Sequence, residues 1–381
     1  MEHLVPSSSG ILFVGPTIKM VPMNSQRSDG DFEKTPSQGG LHSPAGSTDE
    51  RQPGQFTHAP VLAAEVVQGF RDRRTPSTVI VDATVGLAGH SQRILDELDW
   101  AEVIGIDRDR RALEQAQDRL SRYGGRARLV HARFGEISDA VAPVTAVAGV
   151  LADLGVSSMQ LDDPGRGFSF RFDAPLDMRM DPDGEDADVA GFLLAVSTKD
   201  LIRIFRENGV GTLSIRYANA LKSQLPVATT GELAEIIVSA TPARLRGGRT
   251  HPATKVFQAL RVSVNYEASE LIHFLPAALG LLDRGGVMQV ISYHSGEDRL
   301  VKRFIRLVET GGCICPPRLG CTCGAEPAGE RTTRHAIIPS DDELAANPRS
   351  RSARMRALRR TANDVADVLE RYWQQVPTWH G

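Results

Sequence analysis

A strand, a glycine-broken turn, a helix and a second strand ending in an acid occupy residues 78–107, and nothing else in the chain limits its fold so tightly. Residues 78–84 (TVIVDAT) form a β-branched run that Gly86-Leu87-Ala88-Gly89-His90 interrupts. Residues 91–98 have helical spacing, and residues 102–107 (EVIGID) read as the next strand. The alternation continues with a helix over 110–123, which puts Leu113, Ala116 and Leu120 on one face, and strands over 126–134 and 146–153. Strands separated by helices of this length predict a parallel sheet with right-handed crossovers. The pattern lapses over 163–270, where a Gly/Arg/Phe/Asp-rich stretch (165–183) and helical segments at 189–207 and 231–240 come without a comparable strand. It resumes over 270–282 and 287–294 (VMQVISYH), followed by a helix over 297–309. The expected architecture is α/β and Rossmann-like, with its two parts at 56–162 and 271–346 and an inserted helical domain at 163–270.

The flanks read differently. Of residues 1–55, 21 are Ser, Pro or Gly and only Phe13 and Phe32 are aromatic, too little apolar surface to offset ordering entropy. A disordered leader is expected there, with Met20 and Met23 as alternative starts and order beginning near Thr57. Residues 347–381 read as a basic C-terminal tail. Residues 347–363 carry six arginines and no acid, and charge alone leaves a solvated helix face and a phosphate-binding arm both open. The net charge of -3 argues against a wholly basic nucleic-acid binder without excluding a local basic patch. No apolar run approaches the roughly 18 residues of a membrane span.

Chemistry is expected at the strand ends, because ligands of open parallel sheets bind beyond the carboxyl ends. Asp107 ends the second strand about 20 residues after the glycine loop, the place from which an acid accepts hydrogen bonds from a ribose diol. The loop lacks the third glycine of a dinucleotide fingerprint; S-adenosylmethionine, which has no phosphate, demands less of it. Asp153 ends the fourth strand, where a transferred group would lie; the alternative is a helix N-cap or Asx-turn aspartate. His294 ends a later strand and is a second catalytic candidate, against a hydrogen-bonded structural histidine.

Several long strings resemble the MraW/RsmH family of bacterial 16S ribosomal RNA cytosine-N4 methyltransferases. They include His58-Ala59-Pro60-Val61-Leu62, Gly105-Ile106-Asp107-Arg108-Asp109, Asp153-Leu154-Gly155-Val156-Ser157-Ser158 with Gln160-Leu161-Asp162, Arg166-Gly167-Phe168-Ser169-Phe170, Pro175-Leu176-Asp177-Met178-Arg179-Met180-Asp181, His251-Pro252-Ala253-Thr254-Lys255, Ile291-Ser292-Tyr293-His294-Ser295 and Asn347-Pro348-Arg349-Ser350-Arg351-Ser352. The likeness runs from about residue 56 to 360. It implies a class I S-adenosylmethionine-dependent methyltransferase with an inserted helical substrate domain, acting on a cytidine in the decoding region of 16S rRNA. It also implies site residues: Ala88, Gly89 and His90 for the methionine end of the cofactor, Asp107 for the ribose, Phe134 for the adenine, Asp153 by the amine and sulfonium, and Gln160 closing the pocket. Arg166, Phe168, Phe170, Arg179 and the arginine tail would offer stacking and phosphate contacts. The implied partner is 16S rRNA or the small ribosomal subunit, in the cytoplasm, with no membrane, no DNA expected and a homodimer left open.

The chain departs from that family in three places. Ala88 stands in a loop that is usually Gly-Arg-Gly-Gly-His-like, and its N–H is expected to remain a donor if φ is negative. Gly209-Val210-Gly211-Thr212 replaces a Gly-Glu-Glu string, and Gly296 replaces a leucine. Two other readings stand beside the methyltransferase: a nicotinamide dehydrogenase of similar fold, and a non-catalytic RNA-binding or ribosome-assembly protein that kept the fold. The four cysteines, Cys313, Cys315, Cys321 and Cys323, are the chain's complete set and suit a reducing, cytosolic setting. Their Cys-X-Cys-X5-Cys-X-Cys pattern has the count of a zinc knuckle with tighter spacing than usual, reduced cysteines or two disulfides being the alternatives.

Overall fold

The computed structural model describes residues 60–248, 250–316 and 321–376. The expected leader, the start of order near Thr57, and His58 and Ala59 lie outside the described residues.

Among the described residues, seven strands form one sheet: β1 (Val79–Asp82), β2 (Glu102–Asp107), β3 (Ala127–His131), β4 (Val147–Asp153), β5 (Leu282–Ser292), β6 (Gly329–Arg331) and β7 (Arg354–Arg360). Their order is β3-β2-β1-β4-β5-β7-β6. The first five are parallel, and β7 runs antiparallel between β5 and β6. Both faces are covered, which is why β1 and β4 are apolar almost throughout. Ile80 points to the side of α1 (Ala63–Arg71), α2 (Gly89–Glu97) and α3 (Arg110–Leu120), in one buried cluster with Phe70, Ile94 and Leu120. Its neighbour Val81 points to the other side, in the cluster of α4 (Ile137–Ala140) with Phe274, Leu275 and Phe304. Gly149 in β4 is required by that packing: a Cβ there would lie 2.3 Å from the Phe70 ring.

After β4 and the short α5 (Ser158–Asp162) comes the helical insert: α6 (Val189–Ala195), α7 (Thr198–Glu207), α8 (Ser214–Ser223), α9 (Thr230–Ala240), α10 (Ala243–Arg246) and α11 (Thr254–Val264). It has a core of its own, built on Leu193, Phe205, Leu221, Leu233, Ile237 and Leu260. The segment 189–207, expected as one helix, is two, because Ser197 turns out of the helix and caps α7 by accepting the N–H of Asp200. The chain returns to the sheet through α12 (Glu267–Leu281), then α13 (Ser295–Glu309), α14 (Asp341–Ala346) and α15 (Ala366–Gln375). No described helix is long and apolar enough to cross a membrane.

The arginine-rich segment is neither a helix face nor a free arm. Residues 354–360 are β7, inside the sheet, with Met355 and Ala357 buried. Three of its four arginines are engaged: Arg356 pairs with Asp298 at 2.7 Å, Arg359 with Glu330 at 3.2 Å, and Arg360 donates to the carbonyl of Leu282, while Arg354 is exposed. Arg349, in the turn before β7, pairs with Asp162.

Candidate active site

The strand registers set Asp82 beside Gly105 and Leu151, Asp107 beside His131, and Asp153 beside Ile291. The carboxyl ends of five strands therefore open along one edge. A cleft of about 620 Å³ lies there, and its lining includes Gly89, His90, Asp107, Phe134, Asp153, Gln160 and His294. Thr254, Gln258 and Asn265, from α11 and the turn after it, line it as well.

Helix α2 begins at Gly89, two residues before its side-chain periodicity shows, so its first turn faces the cleft. Ala88 does not line it. Ala88 is fully buried with φ at +60°, and its N–H is spent on the carbonyl of Val85 at 2.7 Å. The expectation of a ligand-donating Ala88 is corrected on both counts, since φ is not negative and the donor is already used. His90 is fixed by a 2.8 Å contact from Nε2 to the carbonyl of Val61, which leaves Nδ1 3.8 Å from Asp153.

Asp107 accepts the N–H of Gly86 at 2.8 Å and that of Asp109 at 2.9 Å, one on each oxygen. A carboxylate has about four acceptor sites, so capacity remains. Burial pushes its carboxyl up to about 6, against those two hydrogen bonds and with the nearby Asp109 and Asp82. Phe134 follows β3 and stands edge-on to Phe274, with centroids 5.4 Å apart. Gln160 completes a capping box with Ser157 on α5 and donates to Asp109 at 3.0 Å, binding that turn to the end of β2.

Asp153 is held at three points. Its N–H donates to Thr84 Oγ1 at 2.7 Å, Oδ1 accepts the Tyr293 hydroxyl at 2.8 Å, and Oδ2 faces His90. Burial lifts its carboxyl to about 6, although His90 and the Tyr293 hydroxyl act the other way. The same proximity, together with burial, drives the Tyr293 phenol far above its usual range.

His294, the second catalytic candidate, is placed as a helix cap, the arrangement of its structural alternative. Nδ1 accepts the N–H groups of Gly296 and Glu297 at the start of α13, and Glu297 accepts the N–H of His294 in return. His294 Nε2 lies 3.0 Å from Glu297 Oε1. Burial alone would raise the Glu297 carboxyl, but His294, Arg261 and the N–H of Tyr293 hold it below its ordinary value. Glu267 sits against Arg261 through two 2.8 Å bonds.

Asp107 and Asp153 form no ion pair with a lysine or arginine among the described residues, and both carboxyls are lifted by burial. A cationic ligand would be complementary to these two carboxylates. One with a ribose, an ammonium and a sulfonium matches this donor set, with the first turn of α2 open beside it. Sheet order, the antiparallel β7 and this cleft define a class I S-adenosylmethionine-dependent methyltransferase. The profile of the MraW methylase family matches residues 55–361, and the chain belongs to that family. It is 45% identical over 312 residues to the ribosomal RNA small subunit methyltransferase H of Syntrophotalea carbinolica, covering 80% of this chain and 98% of that one. It is 43% identical to the protein of the same name from Heliobacterium modesticaldum, with 79% and 98% covered. A solved rRNA methylase from Streptococcus thermophilus matches 81% of this chain and 99% of its own at 9% identity, with a TM-score of 0.36. Family membership sets the dehydrogenase reading aside.

Sequence reasoning missed Tyr293, Thr84, Arg261 and Glu267. Tyr293 was within reach, being next to His294 at a strand end; Glu267 and Arg261 become visible only when α11 and α12 fold against the cleft. Of three residues expected to meet RNA, two are buried and the third, Arg179, is part-buried and already paired. Arg166 is buried against Asp109 at 3.0 Å, Arg179 clasps Asp177 through its Nε at 2.8 Å, and Phe168 is buried in the core of the insert. Phe170 packs on His251 and Phe257. The Gly209-Val210-Gly211-Thr212 departure lies between α7 and α8, its glycines at φ +77° and +78° with open space around them, and it lines no part of the cleft.

Proposed function

We propose that this chain transfers a methyl group from S-adenosylmethionine to the N4 amine of a cytidine in 16S rRNA, presented as naked RNA or within the small subunit. Asp153 carries the reading. It is a firmly oriented carboxylate with no lysine or arginine partner among the described residues, in a cleft lined by the sheet edge and by the helical insert together. Asp107 would accept from the ribose hydroxyls, Phe134 would pack on the adenine, and the first turn of α2 at Gly89 and His90 would receive the methionine end. The bound cofactor supplies an electrophilic methyl group on a sulfonium.

The nucleophile is the difficulty. The lone pair of the cytosine amine is conjugated with its ring, so the nitrogen must pyramidalise before it attacks in line. Acceptors that hold its N–H groups favour that change and fix the approach. With Oδ1 anchored by Tyr293, Asp153 offers Oδ2 as that acceptor and as the place where the departing proton is received. An unpaired or splayed base reaches the cleft without the cost of opening a duplex.

Mass spectrometry of 16S rRNA nucleosides tests this directly. Deleting the gene should remove N4-methylcytidine, the wild-type chain should restore it, and Asp153→Ala should not. Undiminished N4-methylcytidine in the deletion strain would overturn the proposal.

A further inference from the structure

The four cysteines take no part in the cleft. They lie on the connection from α13 to β6, and all four are free thiols. Their Sγ atoms lie within 4.8 Å of one another, with Cys313 to Cys321 and Cys321 to Cys323 each at 3.5 Å. A tetrahedron with Zn–S bonds of about 2.3 Å has edges of about 3.8 Å, so the four sulfurs converge to nearly that size.

The surroundings point the same way. The backbone N–H of Cys315 is directed at the Cys313 sulfur, and that of Ala325 at the Cys323 sulfur. Each Cys-X-Cys half thus aims an amide two residues on at its first or last thiol. Gly324, at φ +65°, makes the turn that brings Ala325 round, a turn that a residue with a side chain would strain. Arg371 of α15 reaches in from outside, Nη1 3.5 Å from the Cys323 sulfur and Nη2 donating to the Cys323 carbonyl at 3.0 Å. Four thiolates around a dication leave a net negative charge, and this guanidinium offsets part of it. The segment has little apolar material of its own to hold it: Ile314 is 80% exposed. Burial does not explain why the four thiols meet, and a shared metal ion does.

We propose that Cys313, Cys315, Cys321 and Cys323 bind Zn²⁺ in a closed, structural tetrathiolate site. The site fastens the α13–β6 connection to α15 through Arg371 and through Gln375, which donates to the Gly312 carbonyl at 3.2 Å. With all four positions filled by protein, it keeps no place for substrate and takes no part in methyl transfer.

The test uses the full chain, purified under reducing conditions. Elemental analysis should find a single zinc per chain, and replacement by Co²⁺ should give the intense thiolate-to-metal absorption of a tetrahedral sulfur site. Cys313→Ser and Cys321→Ser should each lose the metal yet still release heat on titration with S-adenosylmethionine, which separates metal loss from unfolding. Hydrogen exchange over residues 366–375 should rise on zinc removal. Iron in place of zinc, a mass corresponding to two disulfides, or four freely titrating thiols after incubation with Zn²⁺ would overturn the proposal.

Discussion

In the proposed role, Asp153 would set function against stability. An aspartate ordinarily ionises near 3.8, and burial raises this one to about 6. A carboxyl raised on folding favours the folded state at low pH, and that contribution is lost as the pH climbs through about 6. At neutral pH the charged group therefore works against the ligand-free fold, as does Asp107 for the same reason. Asp153→Asn keeps an acceptor for Tyr293 and removes the charge. It should stabilise the ligand-free protein by up to about 3 kcal/mol near pH 7.5, each tenfold change in the ionisation equilibrium being worth roughly 1.4 kcal/mol, and the gain should shrink toward pH 5. Methyl transfer by the same variant should fall by about 10²- to 10⁴-fold. Urea denaturation across that pH range and single-turnover transfer of a labelled methyl group measure the two effects; an Asn variant no more stable than the wild type at neutral pH would contradict the argument. Wild-type transfer should rise with pH through about 6 as Asp153 ionises.

At the level of elements, the start of α13 is closed by a histidine in place of the usual serine or aspartate. If His294 acts only as this cap, His294→Ala should cost about 1 kcal/mol, as lost N-caps do, and His294→Asn, which can accept the same N–H groups, should recover both stability and turnover. A folded but inactive Asn variant, seen by denaturation alongside initial rates, would assign the ring a chemical part. The elements differ in how plainly the sequence announces them. The strands ending at Asp82, Asp107 and Asp153 are legible because burial on both faces demands unbroken β-branched and aliphatic runs. The strand β7 is hidden, because arginines alternate with Met355 and Ala357 and their charge masks the period of two. The cap at His294 is hidden for a different reason: a strand-end histidine reads as chemistry until the N–H groups it accepts are seen. Ala88 misleads likewise, since its left-handed backbone is invisible in its side chain.

Considered whole, the molecule is three cores that meet around a cleft. One lies on each side of the sheet and the third fills the insert, and the substrate would enter where residues from the sheet and the insert line the opening. The sheet depends on β7, which pairs with β5 over six residues and is the partner of β6. Truncation after Ala346 should leave β5 as a bare edge and yield an insoluble or aggregating product, as judged by size-exclusion chromatography. A soluble monomer with intact cofactor binding would show that the parallel half stands alone.

That placement also orders events during synthesis. The strand between β5 and β6 is the latest of the seven to leave the ribosome, so β6 emerges with no neighbour to join and β5 waits with one side unpaired. The cleft residues carried by the first five strands and the insert are made well before that last strand, whereas Asn347, Arg349 and Ser352, which also line the cleft, arrive only just ahead of it, so the nascent chain has to avoid self-association over that interval.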